Sequence, residues 1–319
     1  MKVAKKLLGI FVLLLLVSAG VFVTTQPRAV ADWWALRDYV PDQNIVSIAD
    51  KTAMSDDARR VFYVYDPRIE DSEVFNQHCT IREVSIVLGC YNGSNIYMFN
   101  VTDLKLSGVQ EVTAAHEMLH ALYDRLSDEE RQRVDKLTQK QFQKLTDERI
   151  ITTVKAYRDR DSSVVPNELH SILATEVRNL DPELEQYYSQ YFDDRTKVVG
   201  LSESYEQVFS DIKAKVDRLD AELTLLKAQI DGLESDLGLR AIKITAEKQT
   251  LDRLYDQNNA EQYNSRVPAY NSSVERYNQD LGKYRGLIGE YNAKVSVRNE
   301  STVEQNNLID SLSSNAEEL

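Results

Sequence analysis

Val112-Thr113-Ala114-Ala115-His116-Glu117-Met118-Leu119-His120 carries the pattern H-E-x-x-H inside an apolar repeat of helical period. Residues four apart on an α-helix stand one turn above each other, so His116 and His120 project from one face. Two neutral imidazoles at that separation can grip a single zinc ion. Glu117 is rotated by about a quarter turn, where its carboxylate can take a proton from water as a general base. Val112, Ala115, Leu119, Leu122 and Leu126 recur at three- and four-residue steps, predicting one buried face with the histidines off it. The chain has four histidines, and two of them fill this pattern.

A tetrahedral zinc site with one open position needs a third protein ligand. It does not follow on the same helix in the extended form H-E-x-x-H-x-x-G-x-x-H, because Tyr123 and Leu126 occupy the Gly and last His places. The preferred candidate is Glu168, in Asn167-Glu168-Leu169-His170-Ser171-Ile172-Leu173-Ala174-Thr175-Glu176, at the start of a helix with two others between it and His120. Ser171 and Thr175 follow near its face at i+3 and i+7, placed to hydrogen-bond around the ligands. Glu176 and His170 are the alternatives. His170 lies about 200° round the helix from Glu168, so both cannot point at one ion.

Composition narrows the class. Forty-two per cent hydrophobic and 28 per cent charged residues in 319 fit a folded chain of one or two domains. A net charge of −13 repels phosphate backbones, and no basic aromatic patch offsets it, so nucleic acid is not an expected partner. Lys2, Lys5 and Lys6 precede Leu7 to Val23, an uncharged apolar run of marginal length for a bilayer. The expectation is an uncleaved, single-pass membrane anchor with the body outside the cytoplasm. The alternative is a signal peptide cleaved after Ala29-Val30-Ala31, releasing a secreted chain that begins at Asp32. Outside the cytoplasm the two cysteines, Cys79 and Cys90, are expected to form a disulfide.

Local signals place the elements. Ser55-Asp56-Asp57 reads as a helix start, Val61 to Tyr65 as a strand, and Ser72 to Gln77 as a short helix. Val84 to Tyr91 and Ile96 to Val101 read as strands, joined through the turn Asn92-Gly93-Ser94-Asn95 into a hairpin. Ser127-Asp128-Glu129-Glu130 is a capping box for a helix to about Leu145, and another helix covers Glu148 to Arg158. Asn167 is the expected N-cap of a helix over Glu168 to Asn179, and Asp181-Pro182 opens the next.

From Leu201 the character changes. Tyr205 to Leu237 keeps apolar residues at alternating four and three steps, and Ile244, Leu251 and Leu254 hold the phase, with Arg240 and Glu247 as polar members. A second seam runs from Tyr263 to Val295, out of phase with the first, so the chain is expected to turn near Gln257-Asn258-Asn259. Two seams with a break predict an antiparallel coiled-coil hairpin, a surface for partner docking or self-association.

His116, Glu117 and His120, with Glu168 on a downstream helix, resemble the zincin metallopeptidases, and within them the gluzincin type. The resemblance covers about residues 60–195. It implies Zn²⁺ held by His116, His120 and Glu168, peptide-bond hydrolysis with Glu117 as general base, and a protein or peptide substrate lying along an edge strand. Tyr157 and His170 are candidates to stabilise the oxyanion, and Thr175 to support the ligands. Ile172 stands where many gluzincins carry an acid four residues after the ligand Glu. The fold expected is α+β: a mostly helical zincin-like domain with a small β-sheet over 32–200, after an amino-terminal segment 1–31 and before the hairpin 201–319. The function expected is an exported zinc metallopeptidase. The alternative is a non-catalytic surface scaffold whose zinc site is vestigial or structural.

Overall fold

The computed structural model describes residues 27–80 and 87–314. It is α+β and mostly helical. The amino-terminal helices are α1 (Pro27–Leu36), α2 (Gln43–Lys51) and α3 (Asp56–Val64). Then come β1 (Arg68–Glu70), α4 (Ser72–His78), β2 (Gly89–Tyr91) and β3 (Ile96–Phe99). The helices α5 (Val109–Asp124), α6 (Asp128–Phe142), α7 (Glu148–Arg160), α8 (Val165–Glu176) and α9 (Pro182–Tyr188) precede two long ones, α10 (Arg195–Asp256) and α11 (Ala260–Leu312). The chain divides into two compact units: residues through Val208 together with Leu308 onward, and Phe209–Asn307.

In the first unit, α5 is the central element. Twelve of its sixteen residues are buried, so it is enclosed on nearly all sides. Met118 and Leu119 are fully buried beside Phe62 of α3, Met98 of β3 and Leu173 of α8. Each such side chain contributes roughly 1.5–3 kcal/mol by leaving water. Gly108 caps α5 at φ +103°, a left-handed conformation that a side chain disfavours, and a Cβ there would press on Leu201 at 3.2 Å.

The sheet has the order β1-β3-β2, with β1 parallel and β2 antiparallel to β3. In the hairpin, Asn92 Oδ1 accepts from the backbone N–H groups of Ser94 and Asn95, and Gly93 takes φ +87°. This leaves β2 at the edge, packed along α5. Cys79 and Cys90 form the expected disulfide, Cα atoms 5.8 Å apart, tying β2 to the end of α4. Closing a loop of that length stabilises by roughly 3 kcal/mol on the chain-entropy account.

Three expectations are corrected. Val61 to Tyr65 is not a strand: α3 covers Asp56–Val64, capped by Ser55, because Ala58, Val61 and Phe62 share one buried helical face. Its β-branched and aromatic residues favour a strand locally, and tertiary packing overrides them. Asn167 does not cap α8. The helix begins at Val165, with Pro166 in its first turn where the missing N–H costs nothing, and ends at Glu176. The membrane-anchor expectation also fails: among the described residues no helix is long and apolar enough to cross a membrane. The run Leu7 to Val23 on which it rested lies outside the described residues, and so does the single-pass topology read from it. Ala29-Val30-Ala31 lies inside α1, whose Asp32 is held through both oxygens, at 2.9 Å, by Arg125 at the end of α5. Cleavage before Asp32 would cut that helix.

Arg195 opens α10 and is nearly enclosed, its side chain 2 % exposed. It donates to the carbonyls of Ala174, Val177 and Arg178 at the end of α8 and to Glu185. Arg195→Met is expected to destabilise the first unit by roughly 3 kcal/mol, since it strands several carbonyls at once. Urea unfolding followed by near-ultraviolet circular dichroism measures this.

The second unit consists of parts of α10 and α11. The helices break between Asp256 and Ala260, with Asn258 at φ +55°, at the place where the seams change phase. Ion pairs Asp220–Arg298, Glu222–Lys294, Arg240–Asp280 and Glu247–Arg266 join them, with rising numbers on one meeting falling numbers on the other. The polar seam residues Arg240 and Glu247 thus each find an opposite charge across the pair. α11 is continuous through Pro268.

Candidate metal centre

The helices α5 and α8 pack directly on each other and bring the three preferred ligands together. His116 Nε2 lies 3.6 Å from Glu168 Oε2, and His120 Nε2 lies 3.8 Å from Glu168 Oε1. The imidazole centroids of His116 and His120 are 4.7 Å apart at 76°. One ligand atom from each residue lies within 4.8 Å of the other two. Spokes of about 2.0–2.2 Å at tetrahedral angles separate ligand atoms by roughly 3.3–3.6 Å, so small rotamer changes suffice for a metal ion.

A second observation supports the fit. Glu168 Oε2 is buried and has no hydrogen-bond partner among the described residues. Such an oxygen is costly unless a cation or donor satisfies it. The chemistry of two imidazoles and a carboxylate suits a borderline divalent ion.

Neighbouring groups set the orientation of these side chains. Asn167 Oδ1 lies 3.0 Å from His120 Nδ1, and Ser171 Oγ lies 3.4 Å from the same nitrogen. An amide oxygen only accepts, so Nδ1 carries the proton and Nε2 presents its lone pair towards Glu168. Asn167→Leu is therefore expected to weaken metal affinity by roughly 10–100-fold, read by competition with a chromophoric chelator.

Burial disfavours the charged form of His116, but the Glu168 and Glu117 carboxylates beside it prevail and lift its pKa to about 9. Burial, then the neighbouring His116 charge, push His120 below its ordinary value. Burial alone would raise Glu168; the His116 ring 3.6 Å away, the field of His120 and the Tyr157 hydroxyl hold it lower.

Glu117 lies between α5 and the edge strand. A Cβ at Gly89 would stand 2.5 Å from Thr113 Cγ2, 2.9 Å from Glu117 Cγ and 3.0 Å from its Oε1. Only glycine lets β2 approach the helix this closely. Gly89→Ala is expected to displace Glu117 and cost about 1–3 kcal/mol through overpacking, measurable as a lower urea midpoint.

The other candidates do not converge on the cluster. His170 is fully buried, its ring 5.4 Å from that of Tyr123 on α5 and its Nε2 2.9 Å from the Tyr187 hydroxyl, with Tyr188 donating to its carbonyl. Burial, reinforced by the charges of His120 and His116, drives its pKa down to about 3, which keeps it neutral. Glu176 is 2.7 Å from Arg149, which also approaches Glu206 at 3.5 Å. Thr175 donates to the Ser171 carbonyl within its own helix. Asn167 is the residue that sequence reasoning assigned to another task; its adjacency to Glu168 was the available signal.

No protein-family model, curated protein or solved structure matches this chain.

Proposed function

We propose that this protein is a zinc-dependent peptidase of the zincin type, whose first unit is the catalytic domain. The observation that carries the reading is the convergence of His116, His120 and Glu168 from two packed helices, with Glu117 next to His116 and against the edge strand. Zinc, when bound there, supplies Lewis acidity that acidifies water and polarises a substrate carbonyl.

The chain's own residues would divide the remaining work. Glu117 receives the proton from water and returns it to the leaving amine. Asn167 and Ser171 keep His120 in one tautomer. Tyr157, whose hydroxyl reaches the Glu168 carboxylate, is the better placed of the two donors for the oxyanion, because the Nε2 of His170 already faces Tyr187. The outer edge of β2 offers main-chain groups to an extended peptide, and the disulfide at Cys90 fixes that edge. The two long helices read best as an antiparallel coiled-coil hairpin. Their opposed seams and cross-helix ion pairs support this.

The test is metal content beside hydrolysis, on the full chain. Zinc near one equivalent, together with cleavage of casein or a mixed peptide library that stops on chelation, is the expected result. Absence of zinc after incubation at about 0.1 mM metal, far above the affinity of a three-ligand protein site, would sink the reading. Stoichiometric zinc with no cleavage of protein, peptide or peptidoglycan fragments would leave a structural site in a scaffold protein.

A further inference from the structure

Opposite its inner seam, α10 carries a second heptad stripe that the hairpin leaves exposed. Each member lies two residues, or about 200°, beyond a seam residue, and the stripe keeps steps of four and three from Ala221 to Ala246. Every residue of it is exposed, including Leu225 at 66 %, Leu239 at 57 % and Ile242 at 69 %. The inner seam by contrast buries Leu226, Ile230 and Leu237. A sustained apolar heptad face about 38 Å long is the signature of a helix that meets another helix.

We infer that this face is the interface of an antiparallel homodimer, with the two-fold axis between Gly232 and Ser235. The stripe has a near-palindromic arrangement about that point. In the antiparallel register Gly232 faces Ser235 of the second copy, Ala228 faces Leu239, Leu225 faces Ile242, and Ala221 faces Ala246. The smallest pair stands at the centre of the contact, with Leu225, Leu239 and Ile242 on either side of it. A closed two-fold contact of this kind uses the same patch twice.

Gly232 supplies an independent argument. It sits in mid-helix, where glycine costs roughly 1 kcal/mol relative to alanine, and nothing in its own chain lies within 4 Å of an added Cβ. A partner backbone at the crossing point is what a missing side chain would accommodate.

Charge selects both the occupant and the direction. Flanking the stripe, the antiparallel register places Glu222 opposite Lys243 at both ends, Gln229 opposite Asp236 and Asp231 opposite Gly238, so like charges meet only beyond its ends, where Asp217 faces Asp252. Glu222 also pairs with Lys294 of its own chain at 2.7 Å, and a carboxylate has a second oxygen to offer. A parallel in-register pair would instead set Asp231 beside Asp236 and Asp217 beside Glu222.

Analytical ultracentrifugation of the full chain tests the dimer, and cysteine cross-linking tests its direction. Both native cysteines are in the disulfide, so introduced thiols report cleanly. The wild type is expected to dimerise, and Leu239→Glu to weaken the dimer by about 100-fold or more without changing the helical circular dichroism. A mixture of Leu225→Cys and Ile242→Cys chains is expected to cross-link. Leu225→Cys alone is not, because its copies stand about 26 Å apart along the axis. A monomer at every concentration overturns the inference, as does a dimer indifferent to Leu239→Glu. Efficient self-linking of Leu225→Cys overturns it too, since that requires a parallel pair.

Discussion

Glu117→Gln is expected to lower peptide turnover by roughly 10²–10⁴-fold while metal content and KM stay at wild-type values. The substitution exchanges one carboxylate oxygen for an amide group of the same shape. The close approach of β2 at Gly89 to Thr113 and Glu117 therefore persists. What disappears is the capacity to accept a proton near neutral pH. The three atoms that converge for a metal belong to His116, His120 and Glu168, so binding should not change. Isothermal titration with zinc and steady-state cleavage of a fluorogenic peptide, run on the same preparation, separate the two properties. Wild-type turnover in Glu117→Gln would show that the base is another residue. Loss of zinc would show that Glu117 is itself a ligand.

The stretch around Glu117 is legible in the sequence alone. The spacing of two histidines on a helix, the capping box at Ser127, the turn at Asn92-Gly93 and the break at Asn258 are local signals, each set by a few neighbouring residues. The capping box formed in both directions, Ser127 Oγ accepting from Glu130 and the Glu130 carboxylate accepting from Ser127. The failures have the opposite character. Whether Val61 and Phe62 lie in a strand or a helix depended on what they pack against, namely α5 and the chain around Tyr188. Asn167 has the side chain of a good cap, but Pro166 moved the helix start to Val165 and freed the amide for a histidine 47 positions earlier in the chain. No local pattern encodes that pairing.

A third case is the tyrosine cluster on and just after α9. Tyr187, Tyr188 and Tyr191 pack their rings around His170. The sequence did not reveal that they enclose one of the candidate ligands and so remove it from contention.

Glu168→Ala should abolish tight metal binding, whereas Glu176→Ala and His170→Ala should leave it intact. The expected loss for Glu168→Ala exceeds the roughly 10–100-fold that removing a supporting residue costs, because an ion would retain only the two imidazoles. The three variants differ in what the fold loses. Removing Glu176 leaves Arg149 with Glu206, which is close enough to take over part of the pairing. Removing His170 opens a cavity among Tyr123 of α5 and the tyrosines around Tyr187, and is expected to lower stability by about 2–4 kcal/mol rather than affinity. Removing Glu168 takes away a carboxylate with a buried oxygen that lacks a hydrogen-bond partner among the described residues. The metal-free variant loses that unpaired oxygen together with the approaches of His116, His120 and the Tyr157 hydroxyl to the carboxylate. Comparing the melting temperature of each variant with and without zinc separates the cases. Only Glu168→Ala should lose the zinc-dependent increase, since a ligand stabilises the folded chain in proportion to its affinity. A zinc-dependent increase that survives in Glu168→Ala and vanishes in Glu176→Ala would move the third ligand two turns along α8, to a carboxylate now held by Arg149.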